Sequence, residues 1–113
     1  MKRVYIAGPY TGGDVGANVH EAMEVASALL SAGYAFYCPH LSHFVHIQHP
    51  QPYERWMALD IAWLEVCAAV IRIPGHSPGA DREVEFAVKR GIPVVELNRH
   101  ESWLAMLREK LGE

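Results

Sequence analysis

Cysteine is scarce in this chain. Its two copies, Cys38 and Cys67, form no CxxC pair and are too few for a disulfide framework, so they are expected as reduced thiols of a cytoplasmic protein. Long apolar runs are missing too: stretches such as Val66–Ile71 fall far short of the ~20 residues a membrane-crossing helix needs. Lys2 and Arg3 imitate the start of a signal peptide, but Gly8 and Pro9 end the apolar stretch behind them after a few residues. Neither charge sign dominates: 10 basic against 13 acidic residues leave a formal net charge of −3, which excludes coating a nucleic-acid polymer. Internal repeats, linkers and low-complexity tracts are absent. What remains is an ordinary globular composition, 50% hydrophobic and 20% charged over 113 residues. That is enough for one domain, expected to span residues 1–113, burying roughly two-thirds of its unfolded surface.

Hydrophobic periodicity divides the chain into alternating strands and helices. Val4–Ala7 is short, apolar and uncharged, as a strand buried on both faces should be. A glycine-rich loop, 8–16, follows. Asn18 and Glu21 have capping-box spacing for a helix whose stripe is Val19, Ala22, Met23, Ala26, Leu29 and Leu30, with Gly33 placed to end it. Tyr34–Cys38 reads as a second strand, cut off by Pro39. Residues 40–52, with four histidines, Pro50 and Pro52, are predicted to be the least regular part. A helix over Tyr53–Glu65, a strand over Ala68–Ile73, and a helix after Ser77-Pro78-Gly79 come next. The last of these is acidic near its start (Asp81, Glu83, Glu85) and basic near its end (Lys89, Arg90), which complements its dipole. Gly91 and Pro93 frame a turn into a fourth strand, Val94–Leu97, and a final helix is predicted from about Glu101 to Leu111. This alternation is that of an α/β protein with a parallel sheet, whose ligands bind beyond the carboxyl ends of the strands.

Those strand ends carry the candidate chemistry. The first loop has the outer glycine spacing of a P-loop, but Asp14-Val15 stand where Lys and Ser/Thr belong, and the GxGxxG spacing is absent. The loop is therefore either a plain strand-to-helix turn or a pocket wall offering Tyr5, Tyr10 and Thr11. Ser77-x-Gly79-x-x-x-Glu83 joins a hydroxyl, a glycine and a carboxylate at a helix N-terminus, where anions are stabilised; the plainer alternative is that Glu83 only complements the dipole. Asp60 sits among Trp56, Met57, Ile61, Trp63 and Leu64, where a carboxylate must be paired or used. A salt bridge to Arg55, Arg72 or Arg82 is its plainer explanation; convergence with Glu83 on one cleft is the functional one, as in glycosidic-bond chemistry. His40, His43, His46 and His49 recur every three residues, which suggests a metal site, but no cysteine or carboxylate cluster completes a ligand set, so a polar loop touching ligand or solvent is the preferred reading. Trp56, Trp63 and Trp103 are expected to fill core and interface space.

With Val4-Tyr5-Ile6-Ala7-Gly8-Pro9-Tyr10, Asn18, Pro39-His40, Asp60-Ile61-Ala62-Trp63-Leu64, Ser77-Pro78-Gly79-Ala80-Asp81-Arg82-Glu83 and Gly91-Ile92-Pro93-Val94, the chain resembles the nucleoside 2-deoxyribosyltransferase-like superfamily. That superfamily includes the transferases, the 2′-deoxynucleoside 5′-phosphate N-hydrolase and nucleotide N-glycosidases. The resemblance implies a flavodoxin-like three-layer sandwich with a small parallel sheet of four to five strands, and cleavage of the bond between a base and C1′. It makes Glu83 the nucleophile, Asp60 the second carboxyl that moves a proton at the base, and Tyr5 the residue that positions nucleophile and sugar. Ser77, Gly79 and the first loop (Gly8, Pro9, Tyr10, Thr11) then face the substrate and its 5′-phosphate, with His40 and His43 beside them. No metal or cofactor is implied. A homodimer is, across which Asn98 or Ser102 would reach. Two positions depart from the relatives: Cys67-Ala68-Ala69 offers no aspartate before the third strand, and Thr11 stands where some monophosphate hydrolases have arginine. The expected activity is hydrolysis of a nucleoside 5′-monophosphate to free base; the alternatives are a deoxyribosyltransferase or a nucleotide-binding module without turnover.

Overall fold

The computed structural model describes residues 1–98 and 102–113. Strands β1 (Arg3–Ala7), β2 (Ala35–Tyr37), β3 (Ala69–Arg72) and β4 (Val94–Glu96) form one wholly parallel sheet in the order β2-β1-β3-β4. Parallel neighbours require crossovers, and helices supply them: α1 (Val15–Ser31), α2 (His43–Gln48), α3 (Tyr53–Leu64), α4 (Pro78–Lys89) and, after β4, α5 (Trp103–Lys110).

Side chains alternate across the sheet, and this alternation builds the three layers. On one face Val4 and Ile6 of β1, with Ile71 and Val95, pack on Ala22, Val25, Ala26 and Leu29 of α1 and Leu107 of α5. On the other, Tyr5 and Ala7 of β1, with Val70, pack on Leu64 of α3 and Ala80 and Ala87 of α4. The α/β sandwich expected from the sequence is thus present, with four strands among the described residues. No described helix is long and apolar enough to cross a membrane.

Three local expectations need correction. The cap of α1 is Asp14, whose side chain accepts from the Ala17 amide at 3.1 Å, not an Asn18/Glu21 box. Asn18 instead donates to the carbonyls of Tyr10 (2.9 Å) and Gly12 (2.8 Å), tying the glycine-rich loop to the helix. Residues 40–52 are more regular than expected: a 3₁₀ turn over Pro39–Ser42, with Pro39 at its start, runs straight into α2. The last helix begins at Trp103, capped by Ser102 on the Ala105 amide. The predicted start at Glu101, like Arg99 and His100 in the loop beyond the predicted fourth strand, lies outside the described residues.

The strand order reverses between β1 and β3, and their two following loops meet there. A Cβ on Gly8 would lie 2.8 Å from Cβ of Ile73; one on Gly75, whose φ is +127°, would lie 2.7 Å from Cγ of Pro9. Only glycine allows this approach, and it sets one wall of the crevice where ligands of such sheets bind.

Candidate active site

A cavity of about 850 Å³ opens beyond the carboxyl ends of β1 and β3. The β1 alternation turns Tyr5 away from α1 and toward α4. The fully buried Tyr5 hydroxyl donates to Oε2 of Glu83. Helix α4 begins at Ser77, whose oxygen accepts from the Ala80 amide at 3.1 Å, with Pro78 in the first turn, where its missing N–H leaves nothing unpaired. One and a half turns on, Glu83 is only 5% exposed. Burial pushes its carboxyl up to about 8, since desolvation disfavours the charge.

Asp60 reaches the same cavity from α3. Burial pushes its carboxyl up to about 7, and the Tyr37 hydroxyl, donating to Oδ1 at 3.3 Å, moderates the rise. The salt bridge offered as its plainer explanation is not made. Arg72 donates to Asp81 at 3.0 Å and to the Ile73 and Gly75 carbonyls, Arg82 to Glu54 at 2.9 and 3.4 Å, and Arg55 to Gln51 at 3.1 Å. The Arg72 contacts bind the β3–α4 loop to the sheet, and so fix where α4 and Glu83 begin.

The histidines divide by role. Buried His40 donates from Nε2 to the Pro9 carbonyl at 2.7 Å, which leaves Nδ1 to accept from the Cys38 thiol at 3.8 Å. Desolvation lowers its pKa, which favours the neutral ring. His43 pairs through Nδ1 with the Tyr10 hydroxyl. His46 accepts on Nδ1 from the Trp56 indole at 2.8 Å and the Gln51 amide at 3.3 Å, locking α2 to α3. His49 is exposed. Among the described residues, no three histidine, cysteine or carboxylate side chains gather as a ligand set for a metal.

Of the residues singled out in the sequence, Gly8, Tyr10, Thr11, His40, His43, Asp60, Ser77, Gly79 and Glu83 line the cavity. Tyr5 stands behind Glu83, and Pro9 contributes its carbonyl to His40. Asn98 is exposed past the end of β4 and is not part of the lining. The expectation for the tryptophans fails for Trp56, which lines the cavity, whereas Trp103 packs against the core and Trp63 is half-exposed, stacked on Tyr37. His46, read in sequence as part of a polar loop touching ligand or solvent, also lines it, as do Tyr53, Gln51 and Arg82, which were not anticipated as lining. The signal was available: Tyr53, Trp56, Met57 and Asp60 are spaced i, i+3, i+4, i+7, one face of a helix that looks at a cavity rather than at the core.

A family model described as "Domain of unknown function (DUF7768)" matches residues 2–97. The chain belongs to that family. No curated protein matches this DUF7768 chain in sequence. Solved structures do match it in fold. A 2-deoxyribosyltransferase from Bacillus psychrosaccharolyticus superposes with a TM-score of 0.63 at 15% identity, over 92% of this chain and 89% of that one. A conserved protein from Enterococcus faecalis V583 gives 0.70 at 19% identity, over 100% and 76%. The 2-desoxiribosyltransferase of Leishmania mexicana gives 0.65 at 19% identity, over 86% and 64%. The DUF7768 chain therefore has the nucleoside 2-deoxyribosyltransferase-like fold expected from its sequence. The enzymes named among these neighbours are transferases; the expected hydrolase has no counterpart among them.

Proposed function

We propose that this chain cleaves the N-glycosidic bond of a nucleoside and passes the sugar to a second base, with Glu83 as nucleophile and Asp60 as proton carrier. The observation that carries this reading is the convergence of two carboxyls, from α3 and α4, on one cavity, with the Glu83 carboxyl gripped by a buried tyrosine. Ionised Glu83 attacks C1′ and forms an ester to the sugar; the C1′–N bond breaks, and its electron pair leaves on the base, which takes the proton from Asp60. A nucleobase is a poor anionic leaving group, so protonation at one end and a carboxylate at the other lower the same barrier. An acceptor base then attacks C1′, yields its proton to Asp60 and releases Glu83. Water in place of that base gives the hydrolase anticipated from the sequence; transfer is favoured because the named structural neighbours are transferases.

An uncharged nucleoside fits better than a 5′-monophosphate. Thr11 supplies no cation, Arg82 is engaged by Glu54, and Ser77 already caps α4. The reading includes a second copy of the chain closing the cavity, since exposed apolar residues of α2 adjoin the cavity-lining His43 and His46.

Incubating the purified chain with deoxyribonucleosides, ribonucleosides and their 5′-monophosphates, each with and without a second free base, tests the proposal by chromatography. Transfer gives a new nucleoside only when the second base is present; hydrolysis gives free base alone. No base release or exchange from any donor at high enzyme concentration overturns it.

A further inference from the structure

The residues that hold the two carboxyls are themselves in contact. Tyr5 donates to Glu83 and Tyr37 donates to Asp60, and the two rings are stacked with centroids 5.5 Å apart and planes at 28°. On its other face Tyr37 is stacked on Trp63 at 5.6 Å and 22°. The arrangement follows from topology. β1 and β2 are parallel neighbours in a register that pairs Tyr5 with Tyr37, so alternation sends both rings to the α3/α4 face side by side. One turn of α3 separates Asp60 from Trp63, so the helix that presents the carboxyl also supplies the outer ring of the stack. A lone core tyrosine needs no carboxyl partner, and a lone aspartate needs no ring; here each tyrosine orients one carboxyl, and each braces the other tyrosine.

We propose that Tyr37 is a positioning residue for the reaction: its hydroxyl orients Asp60, and its ring, clamped between Tyr5 and Trp63, keeps the Asp60 and Glu83 carboxyls in fixed relation. This rests on the N-glycosidic reading given above. Tyr37 is suited to the task because its own hydroxyl is pushed far above the ordinary tyrosine range by burial and by Asp60, so it stays a donor throughout the working pH range. The Cys38 and Cys67 thiols are both pushed up to about 11 by burial. Across the cavity, burial favours the neutral His40 ring, Arg82 is engaged by Glu54, and His43 and His46 are bonded to Tyr10 and Trp56. Glu83 is the other carboxyl that titrates into this cavity.

Two variants separate the hydroxyl from the ring. Tyr37→Phe keeps the stack and removes the donor; Tyr37→Leu removes both. Carboxyl carbon NMR on the full chain labelled at Asp and Glu, without substrate, reads each group directly. In Tyr37→Phe the Asp60 midpoint rises by about half a unit to one unit, because the ionised form loses a donor, while the Glu83 midpoint stays in place. In Tyr37→Leu both midpoints move, since Tyr5 loses the ring that braces it. In steady-state kinetics kcat falls about tenfold for Phe with KM little changed, and further for Leu. An Asp60 midpoint unmoved in Tyr37→Phe overturns the inference whether or not the protein turns over nucleosides, and so does a kcat unchanged in an active protein. If the unsubstituted chain shows no turnover but the Asp60 midpoint moves as stated, the proposed reaction fails and the hold of Tyr37 on Asp60 stands.

Discussion

Glu83 carries a conflict between stability and chemistry. Its ordinary value is near 4.5 and its folded value about 8, so the folded chain keeps a proton that the unfolded chain releases. Stability contributed by this group is complete below pH 4.5 and is lost as pH rises to about 8, because over that window the unfolded state binds fewer protons. Glu83→Gln keeps the shape and an acceptor for Tyr5 but has nothing to ionise. It is expected to abolish turnover while stabilising the fold by roughly 2–4 kcal/mol at pH 7, an advantage that shrinks toward zero at pH 4. Urea denaturation at pH 4, 6 and 8 checks the trend, and a variant less stable than the parent at pH 8 contradicts it. The same two carboxyls set the rate profile. Catalysis needs one proton shared across the pair, on Asp60 rather than Glu83, so kcat/KM is expected to be bell-shaped with its maximum between about 7 and about 8. Asp60→Asn leaves a single ionisation: the bell becomes a rise that levels off above about 8, at a maximum lower by roughly 10²–10⁴-fold.

Elements turn these residues toward one another, and the loops after β1 and β3 do so by packing backbone on backbone. Gly8→Ala is expected to force Ile73 aside at a cost of about 1–3 kcal/mol, measurable in urea, and to lower kcat by shifting the loop that leads into α4. Gly75→Ala adds strain at a positive φ to the clash with Pro9. Strand and helix order were legible because buried parallel strands and amphipathic helices write themselves in hydrophobic periodicity. The start of α1 was less so: Asp14 and Asn18 cap equally well in isolation, and only the fold of the glycine-rich loop decides that Asn18 holds carbonyls instead. The α2 segment was obscured by its prolines, although Pro39 at the head of a turn starts a helix rather than breaking one. Asp60 and Glu83 stood out as carboxylates among apolar neighbours or at a helix mouth. The contact of Asp60 with Tyr37, 23 residues away, left no trace in sequence because only the packing of α3 on the sheet face that carries Tyr37 creates it.

At the scale of the whole molecule the cavity is bounded by sheet, α3 and α4 on their sides, while α2 covers it with a helix of six residues whose outer face is apolar. Phe44 and Ile47 are 54% and 62% exposed, with Leu41 and Val45 beside them. Exposed apolar side chains of this kind next to a cavity are what an interface would cover, and symmetric pairing of like chains is the commonest way to cover them. Sedimentation velocity is therefore expected to give a dimer at twice the 12.6 kDa chain mass. Replacing both Phe44 and Ile47 by serine is expected to yield a monomer whose fold persists, since neither side chain belongs to the core, but whose kcat/KM falls at least about tenfold, because the cavity then loses the second copy that closes it beside α2. A parent chain that stays monomeric at micromolar concentration and is fully active would mean that α2 closes the site unaided. The serine pair would then leave kcat/KM unchanged.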